Sequence, residues 1–567
     1  MKNTLTLLIV IFSITFLKAQ TKLSEDNISI GEPYPVLAAS NTKYIEYKDK
    51  IVAIKYYELL NKARYFSIET FDSKNFTLME SNLLNDHFST KSNFEDIVVL
   101  NNRIYVFYSV WDKKSKIEQL YAQEINPASC SFRGDEKLIF TIQGSVTSTP
   151  IIDALSVVSS VYQRFYKYEF HTSFDKSKVL IQYRKEPKKN NDAVNKDMIG
   201  LHVFDESLSL TWGKEVIMPY TEKKMDNLDY ALDSEGNAIL AALVYRDNTT
   251  RKLINKQINY DIEIITVQGK SDEIIQNKIN IDNDKHIVSL NLFEVVNNKV
   301  ICTGYYAMGK NANEVKKVVD GAFKFNINQT GENSEINYYD IPLDVINQNI
   351  KQKQVDKNNE KEFDKNREVG LAYLVPKNIV TSTDSSDESM FIIGEVQYSI
   401  TTVTTTSRTI GATNMKKTDT DVHYKYYNND ILITKINADN SLAWMKKLPK
   451  TQIASFPKGN KSFKIIEGKN AMYLIFVDRI ENLELGSDET PKPYAEGLLT
   501  KGHVTAYKLG YSNGDMEKIS LFDIKNIKGQ EITFILDNMF SISNDEFIVE
   551  LYKKTDKKNA LVRVKLE

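Results

Sequence analysis

His423, Tyr424, Tyr426 and Tyr427 crowd one short stretch, and Arg408 lies upstream of it. Tyrosine offers a flat apolar ring with a hydroxyl at its tip, while His and Arg add polar or charged donors. That combination suits contact with a sugar, a peptide or a protein surface. Read as a strand, the stretch puts Tyr424 and Tyr426 on one side and Tyr427 on the other. Only one side can cover the element beneath, so at least one ring is available for contact. The same rings could instead simply cover the edge of that element.

Other residue types point to little chemistry. No Gly-x-Ser-x-Gly elbow, His-Glu-x-x-His helix or phosphate-binding Gly-rich loop is expected. Acidic groups at Asp282/Asp284 and Asp384/Asp387/Glu388 match no complete calcium loop and read as solvated turns. The six His and two Cys are scattered, without the spacing of a zinc site, so no metal and no cofactor is expected. Cys130 and Cys302 read as small core thiols. Paired carboxylates for glycoside hydrolysis could still be assembled from distant segments. A sialidase would need clustered arginines, and the chain has only 11 Arg among its 73 basic residues.

The 73 Lys+Arg against 75 Asp+Glu leave no basic excess, which argues against nucleic acid as a partner. Tyr and Phe are abundant beside Val, Ile and Thr, the residues of half-buried pleated surfaces. Lys2, the apolar stretch from Leu5 to Leu17 and the small residue Ala19 read as a secretory signal peptide over residues 1–20. No later segment is apolar enough to span a membrane. The mature chain, 21–567, is therefore expected to be exported, to the periplasm, the cell surface or the medium.

Those residues repeat a pattern: an apolar run, a short Asn/Asp/Gly turn, and a stronger Tyr/Phe/Ile/Val run. It occurs at 44–57, 96–108, 165–183, 228–245, 289–305, 379–396, 463–476 and 534–551. A third and a fourth strand follow each of the first seven, giving four-stranded antiparallel meanders. The spacing predicts an all-β, single large propeller with eight blades preferred and seven as the alternative. The last unit lacks a fourth strand, which residues 27–30 could supply by pairing beside 560–566.

Asp205-Glu206-Ser207-Leu208-Ser209-Leu210-Thr211-Trp212 and Asn437-Ala438-Asp439-Asn440-Ser441-Leu442-Ala443-Trp444 share a pattern. Lys214 and Lys446 follow each Trp by two, and Pro219 and Pro449 come soon after. These stretches resemble the Asp-box and quinoprotein-like turns of the β-propeller superfamily, although Ser stands where those turns carry Gly. The leader and the repeated Trp-Lys-Pro strand ends resemble those of uncharacterised exported propellers of Bacteroidota. The resemblance implies a structural role for Trp212 and Trp444, wedged and largely buried between neighbouring blades, and no activity.

Nearly all long segments fall between second and third strands or between units, which places them on one face of the ring. Two stand out. Residues 343–370 are dense in charge, with Ile346, Ile350 and Phe363 as a thin helical stripe, and read as a helix or mobile linker. Residues 399–429 read as a Thr/Tyr-rich hairpin projecting beyond its blade, with Gly411 near the tip and the blade's own strands outside it. The favoured function is a non-catalytic binding or assembly module that meets an envelope protein or glycan on this face. The alternative is a propeller enzyme, a hydrolase or lyase acting on glycans or related substrates at the channel mouth.

Overall fold

The strands Ala238–Tyr245 and Ala471–Asp478 are buried at every position. A strand flanked by partners on both edges and covered on both faces needs no polar alternation. By contrast Leu210–Thr221, at the outer edge of its sheet, alternates exposed and half-buried residues. This gradient from solid apolar run to amphipathic strand recurs along the chain and sets its architecture. In the computed structural model the described residues are 21–567, except 38, 40, 60–62, 86, 87, 89–91, 148–166, 188–190, 256, 296–298, 310–316, 364–368, 382–388, 411–414, 456–458, 487, 488, 497–500, 513 and 567. The expected leader and Gly411 lie outside them, as do Asp384, Asp387 and Glu388.

The chain is a β-propeller of small antiparallel meanders. The first sheet runs Asn41–Tyr47, Lys50–Leu59, Ala63–Asp72 and Leu78–Asn85. The second runs Ser92–Leu100, Arg103–Asp112, Ile117–Asn126 and Ser131–Gln143. In the third, Tyr168–Thr172, Lys178–Lys185, Lys196–Asp205 and Leu210–Thr221 follow one another. The fourth holds Met225–Leu232, Ala238–Tyr245, Tyr260–Val267 and Ile274–Ile279. The fifth holds His286–Val295, Lys299–Ala307, Gly321–Ile327 and Asn337–Asp340. The sixth comprises Leu374–Thr381, Met390–Ile410, Met415–Ile436 and Leu442–Ala454.

Six blades therefore stand as separate sheets, where the repeat predicts eight or seven. The difference lies beyond residue 463, where the strands join one eleven-stranded sheet. The short strands Asn526–Ile527 and Gln530–Thr533 bridge Met516–Asp523 to Glu546–Lys553, so hydrogen bonding runs on without a break. Within this sheet Ile28–Ile30 pairs antiparallel with Lys558–Lys565, Ser29 lying opposite Arg563.

Consecutive sheets are tied by one repeated device. The turn between third and fourth strands starts with an Asx residue that accepts the amide two positions on: Asp72 from Lys74, Asn126 from Ala128, Asp205 from Ser207, Asn328 from Thr330. Each such turn passes through one left-handed residue, among them Phe76, Cys130, Leu208, Gly331 and Asn440. A side chain on the preceding blade's fourth strand then donates to a carbonyl of the turn. Lys137 reaches Leu208 at 2.7 Å, Asn277 reaches Thr330 at 3.1 Å, and the Tyr339 hydroxyl reaches Asn440 at 2.9 Å.

Trp212 and Trp444 belong to this device. The Trp212 indole donates to the Gly236 carbonyl of the next sheet at 2.8 Å, and its ring lies where a Cβ on Gly269 would stand. Trp444 packs in the same way over Gly514, whose φ of +65° and lack of side chain make room for it. Lys214 and Lys446 fold back over the rings and donate to the Gln268 and Gly514 carbonyls. Both tryptophans are half-buried rather than largely buried, because the outer strand leaves one ring face to its own lysine. Trp444→Ala should lower unfolding stability by about 2–3 kcal/mol, read by urea denaturation, less than a fully enclosed ring would cost. A change near zero would show the docking to be idle.

Cys130 and Cys302 are free and buried. In the charged insertion, Leu343–Ile346 and Gln352–Phe363 are helical. The Ile346 carbonyl accepts from the buried Lys447 ammonium at 2.8 Å, and Asn358 donates to Asn347 at 2.7 Å. No helix among the described residues is long and apolar enough to cross a membrane.

Candidate functional site on the long-loop face

The sixth sheet owes its reach to two strands that outrun their neighbours. Met390–Ile410 and Met415–Ile436 pair without interruption from Gln397↔Asn428 to Ile410↔Met415. Thr is the commonest residue of this stretch and, with its Tyr, Val and Ile, favours extended backbone. The fourth strand stops pairing at Tyr426↔Ala454. From Thr401 outward the hairpin therefore stands alone for about 33 Å at ~3.3 Å per residue.

The tyrosines sit at its root. Tyr426 lies opposite Ser399, is buried, and has the Lys461 ammonium 4.7 Å from its ring centre. Tyr427 lies directly opposite Tyr398 and stacks on it at 4.6 Å and 8°, and Tyr373 extends the stack at 5.2 Å. Tyr424, one step further out opposite Thr401, is half-buried, and His423 is exposed. Arg408 lies near the tip, opposite Lys417. The structure thus gathers the three tyrosines around the root and leaves Arg408 far from them along the strand. Sequence reading passes over the apolar residues of the free section: Val403 and Val422 face each other, 60% and 45% exposed, and Ile400 is 46% exposed.

The root is anchored by a buried polar knot. Lys450 donates to Glu395 at 2.7 Å, to the Asn428 carbonyl at 2.8 Å and to Gln452 at 3.0 Å. Asn428 and Ser462 donate to the other Glu395 oxygen at 3.0 and 2.8 Å. Glu395 and Lys450 are both fully buried. Burial pushes the Glu395 carboxyl up, but the Lys450 and Lys377 charges outweigh it and hold the group below its usual range. Residues 399–429 are consequently not all dispensable to the blade: Asn428 belongs to this knot, and Tyr426 to Asn429 pair with the fourth strand. The free section is 401–424.

A catalytic reading requires carboxylates that reach substrate. Glu95 occupies a bulge in the innermost strand of the second sheet, accepts from Ser109 at 2.5 Å, and lies near Glu118, which binds Lys167 at 2.8 Å. Burial pushes Glu95 up to about 7, yet it is only 3% exposed and Glu118 only 1%. Neither offers an oxygen to a ligand, so both belong to the core. Between the ordinary carboxylate range and pH 7 the folded form holds a proton that the unfolded form has lost. Stability should therefore fall as pH rises through that window, by up to about 1.4 kcal/mol per pH unit. Glu95→Gln should flatten this part of the pH–stability curve. An unchanged slope would contradict the assignment.

The expectation that the chain has no Gly-x-Ser-x-Gly elbow needs correcting on spacing alone, because Gly510-Tyr511-Ser512-Asn513-Gly514 has that spacing. Its described residues lie between His503–Gly510 and Met516–Asp523, two antiparallel strands rather than a strand and a helix, with Gly514 under Trp444 and Asn513 outside the described residues. That is a docking turn of the kind described above, not a strand-to-helix elbow. No cluster of three or more His, Cys, Asp or Glu able to hold a metal occurs among the described residues.

No family model matches the sequence, and no curated protein matches it. Similar solved structures include the polysaccharide lyase Uly1, at 10% identity and a TM-score of 0.36, covering 98% of this chain and 94% of that one. The WD40 domain of SCAP from fission yeast is similar at 8% identity and a TM-score of 0.36, covering 97% of each chain. The β-propeller domain of the Trilobed protease from Pyrococcus furiosus is similar at 8% identity and a TM-score of 0.32, covering 87% and 98%. At such overlaps they decide nothing about activity, and the propeller assignment rests on this chain's own sheets.

Proposed function

We propose that the chain is an exported, non-catalytic binding or assembly module that captures an envelope protein through the projecting hairpin of its long-loop face. The observation that carries this reading is the free section 401–424, anchored at its root by the Glu395–Lys450 knot and exposing Val403 and Val422. A long unpaired ribbon with exposed apolar residues invites edge pairing or apolar contact with another chain. Tyr424 adds a ring at the point where the ribbon leaves the blade. Export rests on the leader-like residues 1–20.

The same reading treats the eleven-stranded sheet as two further meanders, making eight units in the ring, with Ile28–Ile30 as the outer strand of the last. Its support is the apolar cluster in which Ile51, Ala53, Phe71 and Phe76 of the first unit meet Tyr34, Ile548 and Leu561, Tyr34 being bridged to Asn559 of the last. Lys55 crosses the same junction to Glu550 at 2.8 Å, and Arg563 donates to the Ser73 carbonyl.

Replacing Val403 and Val422 together by Asp should leave the unfolding curve unchanged, since both are exposed. It should reduce retention of the partner from an envelope extract at least tenfold, a loss of about 1.4 kcal/mol or more in binding. Retention equal to that of the unaltered protein would remove the apolar stripe from the site.

A further inference from the structure

The hairpin strand Met390–Ile410 has an open outer edge as well as an exposed face. The first strand of its blade stops pairing with it at Leu374↔Val396, and the Gln397 amide donates to the Tyr373 carbonyl at 2.9 Å. Beyond that point no strand lies against this edge among the described residues, while pairing with Met415–Ile436 continues in unbroken register to Ile410. Backbone groups alternate in direction along a strand. With Gln397 pointing outward, the N–H and C=O of Ser399, Thr401, Val403, Thr405 and Ser407 also face away from the hairpin's own ladder. Native edges are blunted by a charge, a proline or a bulge. Residues 397–407 carry none of the three, whereas the opposite edge holds Lys416, Lys417, Asp419, Asp421 and Lys425.

The residues of this edge read alike in both directions. Around Val403 stand Thr402 and Thr404, then Thr401 and Thr405, then the β-branched pair Ile400 and Thr406, then Ser399 and Ser407. A two-fold contact sets residue i against j and j against i, so such a palindrome gives nearly every position its own residue type as partner. Val403 is also the midpoint of the open edge, midway between Gln397, where the blade lets go, and Thr409, next to the end of the strand. The register that matches the palindrome is thus the one that uses the whole edge. A strand of another protein has no reason to share this symmetry, and a second copy of the chain has it by construction.

We propose that two copies of the chain pair edge to edge through residues 399–407, antiparallel about a two-fold axis at Val403. The five outward-facing residues of each copy exchange about ten main-chain hydrogen bonds, as many as an interface of standard size carries. The two ribbons become one four-stranded sheet, which holds together better than an isolated hairpin. Val422 and Val403 of one copy and Val403 and Val422 of the other fall in one row across that sheet. Their exposure of 45% and 60% in the single chain is relieved by cross-strand contact at the axis. On the other face Thr402 stands opposite Thr404 of the second copy. This pairing shares the hairpin with the capture of an envelope protein but does not depend on it.

Sedimentation velocity of the purified chain, with no extract present, should show a reversible monomer–dimer equilibrium across a concentration series. Thr405→Pro removes one outward N–H, spares the hairpin's own ladder, and should give monomer throughout. The register has a test of its own. Val403→Cys should form an intermolecular disulfide under mild oxidation, since the axis sets the two residues about 5.5 Å apart. Thr405→Cys, also exposed, should not, because its two copies lie four residues apart along the ladder, about 13 Å at ~3.3 Å per residue. The native Cys130 and Cys302 are buried and do not compete. A chain monomeric at the highest attainable concentration, a dimeric Thr405→Pro variant, or equal cross-linking at 403 and 405 would overturn the proposal. Should the chain be monomeric while Thr405→Pro loses the partner from the envelope extract, the edge belongs to the partner, so self-pairing fails and partner capture stands.

Discussion

Glu395→Ala should destabilise the protein by about 4 kcal/mol, the cost of leaving a buried charge without its partner. Lys450 would then sit in a fully buried position with only the Asn428 carbonyl and the Gln452 amide oxygen to accept from it. Asn428 and Ser462 would each lose the acceptor they now share. Replacing both charges, as Glu395→Leu with Lys450→Met, should cost far less, because neither partner is left stranded. Urea denaturation measures both. A loss under 1 kcal/mol for Glu395→Ala would mean that water reaches the knot. The pH dependence has a definite sign. Glu395 is held below its unfolded value, so its contribution is complete above the ordinary carboxylate range and disappears as pH falls through the folded value. Acid should loosen the root of the hairpin before it unfolds the apolar second strands.

Much of this architecture is legible in the residues themselves, for a simple reason. Second strands such as 238–245 and 471–478 are buried on both faces, so their continuous apolar runs stand out against Asn/Asp/Gly turns. The Thr-rich ladder of 399–429 is legible too, because few folds other than a long hairpin place Thr401 to Thr406 before a Tyr-rich return. The joining of the strands beyond residue 463 into one sheet is not legible. Strands as short as Asn526–Ile527 carry no period, and their pairing depends on where the neighbouring meanders bring them. The docking turns are half legible. Two of them carry Trp and are recognisable, whereas Phe76, Cys130 and Gly331 fill the same left-handed position without any common side chain.

The candidate sites divide in the same way. The tyrosine cluster is read directly from spacing, but how its rings are used is set by the register that stacks Tyr427 on Tyr398 and buries Tyr426 under Lys461. The exposed valines escape notice because an isolated Val in a strand reads as core. An acidic cavity between the third and fourth sheets draws Arg184, Asp192 and Asp197 from one stretch of chain and Glu222 and Asp226 from another. Only the adjacency of two sheets brings them together, and no spacing rule encodes that.

The central claim is that the free section of the hairpin holds the partner, and excising it is the most direct test. Ile400 lies opposite Lys425, so an Asn-Gly turn joining them replaces 401–424 with a two-residue hairpin. Tyr426, Tyr427 and Asn428 stay in place, and with them the pairing to Leu442–Ala454 and the knot around Glu395. Both proteins are immobilised, exposed to the same envelope extract, washed, and compared for the protein they retain. The shortened protein should unfold at the same urea concentration as the full chain and lose the partner entirely. Retention of that partner at full affinity by the folded, shortened protein would contradict the claim.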